Sequence, residues 1–500
     1  MKRAAVALAL LPLLAGCAVG AHTGGDTITI AMPAGSAKFD PQASSSSINM
    51  ALVPLAYQKL ASTNPDHTLA PDVASGWTVS PTSARLRIRD GVRCADGETL
   101  DAATVAANLN YVADPANKSE LLDVAVPSGA EASAHGKEVD VRLAAPEPFF
   151  MQNVTMLGLV CHKGMRDRAA LNKHSEGSGP YVLTEVAPGD HLGYTKRPGQ
   201  PERLPRSIVV KFVNDETTMA NLLLGRQANI AGIRGPDRDR LAAAKLFRRN
   251  TPETVGELYF NQGKKTFADV RVRRALAMGA RFDNAAKAIT MGEGRRSTGL
   301  MPDPKLCPGD NARALPGYDP ARARALLDEA GWRTGPDGVR AKNGTPLSFS
   351  LKFPPLGAAA AEYLAQQWRA IGVTVRLEQR TTEQLLASMM GAGDWDTAFE
   401  NVNVTNPSTI RAFLSGPAPP DGSNFAHIEN PGYVAGMRAA SQRTGTAGCA
   451  DWNAAETALF RNADVLPFAD SSTPSFGAGA RFELDGNGAF VPTAFHRGTS

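Results

Sequence analysis

Thr27-Ile28-Thr29-Ile30-Ala31 alternates polar and apolar side chains at the head of the polar part of the chain. A period of two puts the isoleucines on one face of an extended chain, so a half-buried strand is predicted there, running into the loop Met32-Pro33-Ala34-Gly35. Arg85-Leu86-Arg87-Ile88-Arg89 repeats the pattern before the turn Asp90-Gly91, and its arginines form the wet face of the strand. Val139, Val141 and Leu143 give a third alternating strand, and Ser207 to Val213 a mostly apolar one, with a helix expected from Asp215 to Leu224.

Helical spacing is clearest in three places. Asp101 is placed to cap a helix with Val105, Leu109 and Val112 on one face. Asp269 caps a second, with Val272, Ala275, Leu276 and Gly279 on its stripe; Arg271, Arg273 and Arg274 mostly fall off that stripe, which predicts a solvated or ion-paired face. Asp319-Pro320 opens a third, with Ala323, Leu326, Leu327 and Ala330 before Gly331, so acceptor, proline and glycine mark its start and stop. Later, Ala361 to Ile371 reads as a helix and Gly372 to Leu377 as the strand after it. Helices and strands in repeated alternation predict mixed α/β lobes.

Composition narrows the class. The chain has 500 residues, 43% hydrophobic and 20% charged, enough for several cores and roughly three domains by length. The net charge of +4 is too small for a nucleic-acid binder, and no basic stripe carries interleaved aromatics. Lys2 and Arg3 precede an apolar run from Ala4 to Leu14, the layout of a secretory signal. The run is too short to span a bilayer, and no later stretch approaches the roughly 20 apolar residues that spanning needs. Leu14-Ala15-Gly16-Cys17 resembles a bacterial lipobox, which implies acylation of Cys17 and anchoring at the extracytoplasmic face of the cell membrane, with Ala18 to Asp26 as a flexible leash. Cys94, Cys161, Cys307 and Cys449 remain; they form no C-x-x-C pair and allow three disulfide pairings, or free buried thiols.

Catalytic signals are absent from the sequence: it has no G-x-S-x-G elbow, Walker A loop, zinc motif or dinucleotide fingerprint. Asp394 and Asp396 alternate along a strand and point to opposite sides. No cofactor, no metal and no enzymatic activity are expected.

Several stretches, in this order, resemble the extracytoplasmic solute-binding proteins of the peptide and nickel ABC importer family. They are Leu69 to Trp77, Leu86 to Val92, Asp96-Gly97, Gly177-Ser178-Gly179-Pro180-Tyr181, Asp215 to Thr218, Tyr259-Phe260-Asn261, Phe267 to Leu276, Tyr318 to Trp332 and Gly393-Asp394-Trp395-Asp396. The resemblance implies a two-lobed periplasmic-binding-protein-like α/β fold with an extra α/β domain inserted in the first lobe. The segments expected are 1–16 signal peptide, 17–26 lipidated tether, 27–57, 177–255 and 471–500 first lobe, 58–176 inserted domain, and 256–470 second lobe. Pairing Cys94 with Cys161 and Cys307 with Cys449 would close each disulfide within one of these units.

In peptide-binding members of the family, an aspartate shortly after the Gly-Asp-Trp-Asp segment holds the peptide ammonium. Aligned on Pro407, the segment Glu400-Asn401-Val402-Asn403 puts Asn403 at that place, with Glu400 as a displaced carboxylate. An amide accepts a hydrogen bond from an ammonium without neutralising it, so N-blocked peptides, opine-like or sugar-derived solutes also fit. Ala34, Gly35, Phe260, Asn261 and Trp395 complete the expected ligand contacts. The implied partners are a peptide-like small molecule, ABC permease subunits and the membrane through the lipid, with one chain sufficient for the site. A transport-independent sensor or envelope partner on the same fold is the competing function.

Overall fold

The computed structural model describes residues 26–35, 38–254, 256–400, 402 and 404–498. Cys17 and the rest of the expected signal and tether lie outside them, as do Asn401 and Asn403. The largest sheet has the strand order Phe247–Thr254, Ala469–Gly477, Ile230–Gly232, Thr27–Met32, Ser207–Phe212, His191–Lys196 and Tyr181–Ala187. Thr27–Met32 lies parallel to both neighbours, in register Thr27 with Ser207 through Met32 with Phe212. Its alternation serves two layers: Ile28 and Ile30 pack with Leu55, Ile208 and Phe482 on one side, and Ala31 with Met219, Leu223 and Phe476 on the other.

A second sheet has the order Thr374–Gln379, Ser348–Phe353, Thr397–Glu400, Glu257–Phe260 and Val465–Pro467. It too is buried on both faces: Leu258 and Phe260 enter one core, Tyr259 and Ala398 another. A four-stranded antiparallel sheet, Ala74–Ser80, Ser83–Ile88, Glu138–Arg142 and Glu131–His135, carries the helix Ala102–Ala113 on its apolar side.

The helices start where the sequence predicts. Asp101, Asp215, Asp269 and Asp319 each accept a hydrogen bond from a backbone N–H of the first turn, at 2.7–2.9 Å. The expected arginine face is corrected at one position. Arg271 is exposed and pairs with Asp269, but Arg273 is buried, with its guanidinium 2.7 Å from the buried carboxylate of Asp464. The helix Val270–Met278 is covered on that side as well, by the turn that leads out of the helix Cys449–Arg461.

Disulfides join Cys94 to Cys161 and Cys307 to Cys449, with Cα atoms 6.1 and 5.1 Å apart. Gly177 and Gly179, from the Gly-Ser-Gly-Pro motif, press against the end of the helix Ser47–Ala56. A Cβ on Gly179 would stand 2.4 Å from the carbonyl carbon of Ala56, so the motif is a close backbone approach.

The two large sheets are joined by a ribbon. Phe247–Thr254 and Ala469–Gly477 pair antiparallel from Phe247 with Gly477 to Thr254 with Asp470. The same two segments enter the second sheet still side by side, Glu257 opposite Pro467 and Tyr259 opposite Val465. Between them Phe468 donates to the carbonyl of Gly256 at 3.1 Å, and Gly256 has φ of +80°, the left-handed region where glycine carries no Cβ penalty. Arg295–Arg296, from the span expected in the second lobe, also pairs with Ala469–Gly477.

Candidate functional site

Three carboxylates gather where the ribbon enters the second sheet. Glu257 heads its strand and lies in register opposite Glu400, the last residue of Thr397–Glu400. Both are buried, and Asp470 is the ribbon residue paired with Thr254. Glu257 Oε2 accepts the backbone N–H of Val402 at 3.2 Å, which ties the Glu400–Val402 segment to the ribbon. Glu257 Oε1 has no partner among the described residues. Burial pushes the Glu257 carboxyl well above the usual range, and the charges of Glu400 and Asp470 add to that.

Asp470 is pushed up to about 6, first by burial and then by the charge of Asp303, while Arg295 and Lys305 pull the other way. Neither of its oxygens is bonded by a described residue, and the Ser297 hydroxyl nearby is donated to the Gly299 carbonyl at 2.7 Å. A carboxyl with a folded pKa above its unfolded one makes folding proton-linked. The contribution of Asp470 is most favourable below about pH 4, is lost as the pH rises through about 6, and then levels off. Asp470→Asn is therefore expected to raise the melting temperature at pH 7.5, by up to about 3 kcal/mol in free energy, and to leave it nearly unchanged at pH 4. Melting curves at the two pH values check this; a gain equal at both would contradict it.

The remaining predicted contacts fall into two groups. Ala34 is exposed at the end of the first strand, with its N–H donated to Asn214 Oδ1 at 3.1 Å. Gly35 lies beside it, close enough to Asn49 and Ile48 that a Cβ would collide. Phe260 and Trp395, by contrast, are 0% exposed, and so present no surface to a solute. Phe260 stacks on Phe267 and Trp395 packs on Phe425. Asn261 is buried too, donating to the Trp395 carbonyl and accepting from Gly263 N–H. Phe260 and Trp395 spend their aromatic bulk on core packing and Asn261 its amide on backbone groups, so in this structure all three support the sheet end. Asp396 pairs with Lys264 at 2.8 Å and accepts both groups of Ser350, while Asp394 pairs with Lys352, so the two carboxylates are held apart.

The segment after Val402 also meets the inserted domain. Glu147 is buried and accepts from Ser408 Oγ at 2.7 Å and from Arg411 Nη2 at 3.0 Å. Asn406, likewise buried, donates to Asn153 Oδ1 at 2.7 Å, and Phe149 packs on Trp452. Glu400, Val402 and residues 404–411 thus reach from the carboxylate cluster to a polar contact with Glu147 and Asn153. Sequence reasoning named Glu400 and Val402 as expected contacts. It missed Glu257, Asp470 and Glu147, which no local pattern marks, because partners far away in the chain define their surroundings.

No helix among the described residues is long and apolar enough to cross a membrane. No group of three or more His, Cys, Asp or Glu side chains among them is arranged to hold a metal ion.

Comparison with known proteins agrees with this architecture. The family model for bacterial extracellular solute-binding proteins, family 5 (middle), matches residues 68–421. A glutathione-binding protein, GsiB of Salmonella paratyphi A, is 26% identical over 415 residues, covering 77% of this chain and 76% of that protein. The ABC transporter substrate-binding protein CtaP of Listeria monocytogenes superposes with a TM-score of 0.81 at 16% identity, covering 94% of this chain and 99% of that one. A dipeptide-binding protein of Pseudoalteromonas sp. SM9913 in complex with Met-Leu superposes with a TM-score of 0.76 at 17% identity, covering 94% and 99%.

Proposed function

The chain belongs to the bacterial extracellular solute-binding proteins of family 5, and from that premise we propose that it captures a peptide or peptide-like solute between its lobes and delivers it to an ABC permease. Relatives in this family are solute-binding proteins of importers rather than enzymes. The observation that carries the peptide reading is the buried carboxylate of Glu400, at the end of a strand, beside the ribbon about which the lobes turn. Glu400 is the carboxylate toward which the ammonium of an incoming solute would be directed. Val402 is tied to Glu257 beside the ribbon, and Asn406 and Ser408 to Asn153 and Glu147, so a solute bound beside them would favour the closed form by touching both sides at once.

Ala34, Gly35, Glu400, Asn401, Val402 and Asn403 are the residues proposed to line the site. Glutathione, bound by the relative named above, carries a free amine and peptide bonds, and a dipeptide occupies one of the structural neighbours. Both support a short peptide-like solute. The basic start and the Leu-Ala-Gly-Cys sequence support export and acylation of Cys17, which would hold the receptor beside its permease.

Native mass spectrometry of the purified protein, before and after mild unfolding, tests the reading. A released peptide-like solute is expected, and the same solute added back should raise the melting temperature by an amount that grows with its concentration over its dissociation constant. A protein stabilised by no dipeptide, tripeptide or glutathione would overturn it.

A further inference from the structure

We infer that one end of the first sheet is a membrane-facing surface: a rim of arginine and lysine side chains there rests on anionic phospholipid headgroups and turns the proposed solute site away from the bilayer. The inference rests on the acylation of Cys17 proposed above and adds the surface on which the anchored receptor sits.

Sheet topology collects the cations. Thr27–Met32, Ser207–Phe212 and Ile230–Gly232 run parallel and so start at one end of the sheet. Ala469–Gly477 stops at that end, and Phe247–Thr254 begins there opposite Gly477. The turns at this end carry Arg203 and Arg206 ahead of Ser207, Arg226 ahead of Ile230, Lys245 ahead of Phe247, and Arg481 and Arg497 beyond Gly477; all six are exposed. Contacts draw the rim together. Arg206 pairs with Asp26 at 2.9 Å, Arg497 donates to the Thr27 carbonyl, and Arg203 donates to the Thr493 carbonyl at 3.4 Å.

Little offsets this charge. Arg203, Arg226, Lys245 and Arg481 form no ion pair among the described residues. The carboxylates nearby are Asp26, taken by Arg206, Glu483, taken by Arg249, and Glu202. The whole chain carries only +4, so the excess is local. At the other end of the same strands the cations are spent on carboxylates, Arg234 on Glu253 at 3.0 Å and Arg238 on Glu293 at 3.6 Å, and Asp190 and Asp215 are exposed.

Position supplies the occupant. Nine residue steps separate Cys17 from Asp26, and an extended chain spans at most about 3.6 Å per residue, so an acylated Cys17 stays within roughly 30 Å of the rim. A short leash joined to the sheet at its basic end brings that end to the lipid first. Ala34 and Gly35 follow the far end of Thr27–Met32, and Phe247–Thr254 runs from the rim toward the carboxylates beside Glu257, so both parts of the proposed site lie away from it. An anionic surface strengthens binding roughly fivefold per nearby cation, within a Debye length of about 10 Å at 0.1 M salt. A lipid chain and a basic patch together hold firmly where either alone is readily reversed. In this pose the receptor collects solute from the outer side, and it must tip off the lipid to hand the solute to a permease.

The test uses the full chain, acylated wild type and Cys17→Ser, with phosphatidylcholine vesicles and with mixed phosphatidylcholine–phosphatidylglycerol vesicles. Cys17→Ser is expected to bind the anionic vesicles at least about tenfold more tightly than the neutral ones at low salt, and the difference to vanish near 1 M salt. Adding Arg203→Glu, Lys245→Glu and Arg481→Glu should cut the preference below about threefold. Lys265→Glu, Arg324→Glu and Arg369→Glu, on helices packed around the second sheet, change the net charge equally and should leave most of the preference in place. Hydrogen exchange on anionic vesicles should slow at 203–206 and 479–481 and stay unchanged at 34–35, which reads the pose without a substitution. Equal loss in both triple variants, no preference in Cys17→Ser, or slowing at 34–35 instead of the rim would overturn the inference, and wild type still held on both vesicle types would leave the acylation reading standing. Wild type and Cys17→Ser binding alike, through the rim and only to anionic vesicles, would support the surface and overturn the acylation reading instead.

Discussion

Arg273→Met is expected to destabilise the second lobe by about 3–5 kcal/mol, because it strands a buried carboxylate. The guanidinium reaches Asp464 at 2.7 Å and donates to the carbonyl of Phe267 at 2.6 Å, and both charged side chains are at most 5% exposed. Asp464 is also held by the amide of Asn430 at 2.6 Å, which caps the helix Pro431–Ser441 as well, and the Asp464 carbonyl accepts from Gln262 at 3.3 Å. Burial already pushes Asp464 up, with Arg273 opposing it, so removing Arg273 drives the carboxyl further toward its protonated form. The deficit of the variant should therefore shrink as the pH is lowered, when protonation relieves the stranded charge. Arg271→Met, two residues away and paired with Asp269 at the surface, should cost no more than about 1 kcal/mol. Denaturant unfolding of the two variants, and of Arg273→Met with Asp464→Asn, checks the assignment. Equal costs for the two single variants would show that the buried pair adds nothing.

The second large effect is on binding. Glu400→Gln is expected to weaken a free-amine dipeptide by about 2–4 kcal/mol, roughly 30- to 1,000-fold, and its N-acetylated form by less than about threefold. Stability should move the other way. Glu400 raises the Glu257 carboxyl by its charge, and removing that charge lowers the cost of burying Glu257 beside it. A variant that melts slightly higher while losing its ligand is the pattern of a site kept at some cost to stability. Calorimetric titration with the acetylated and free forms decides the matter. An equal loss for both would move the ammonium away from Glu400.

Legibility in the sequence followed the range of the interactions. The helices starting at Asp101, Asp215, Asp269 and Asp319 were readable because a cap and an apolar stripe are local, within about one turn of each other. The ribbon was not. Phe247–Thr254 and Ala469–Gly477 carry polar residues and a proline each, without clean alternation, and are strands because they hold one another across the chain. Arg273 looked like its exposed neighbours because Asp464 is 191 residues away. In the site, the colinear motifs led to the Glu400 segment, while Phe260 and Trp395 were assigned to the wall although their bulk is spent on the core. Glu257 and Asp470 carried no signal at all, since only their burial without a full set of partners distinguishes them.

The place of Ala469–Gly477 in the first sheet also dictates an order of assembly. This strand, made after both of its neighbours, sits between Ile230–Gly232 and Phe247–Thr254, which are made more than 200 residues earlier. Until it arrives, each of those strands presents an unsatisfied edge to whatever chain is nearby. The first sheet is thus closed only after every strand of the second sheet has been laid down. Nascent chains stopped before residue 469 hold a first sheet with its seam still open, and premature termination or slow synthesis there is where this protein is most exposed to mispairing.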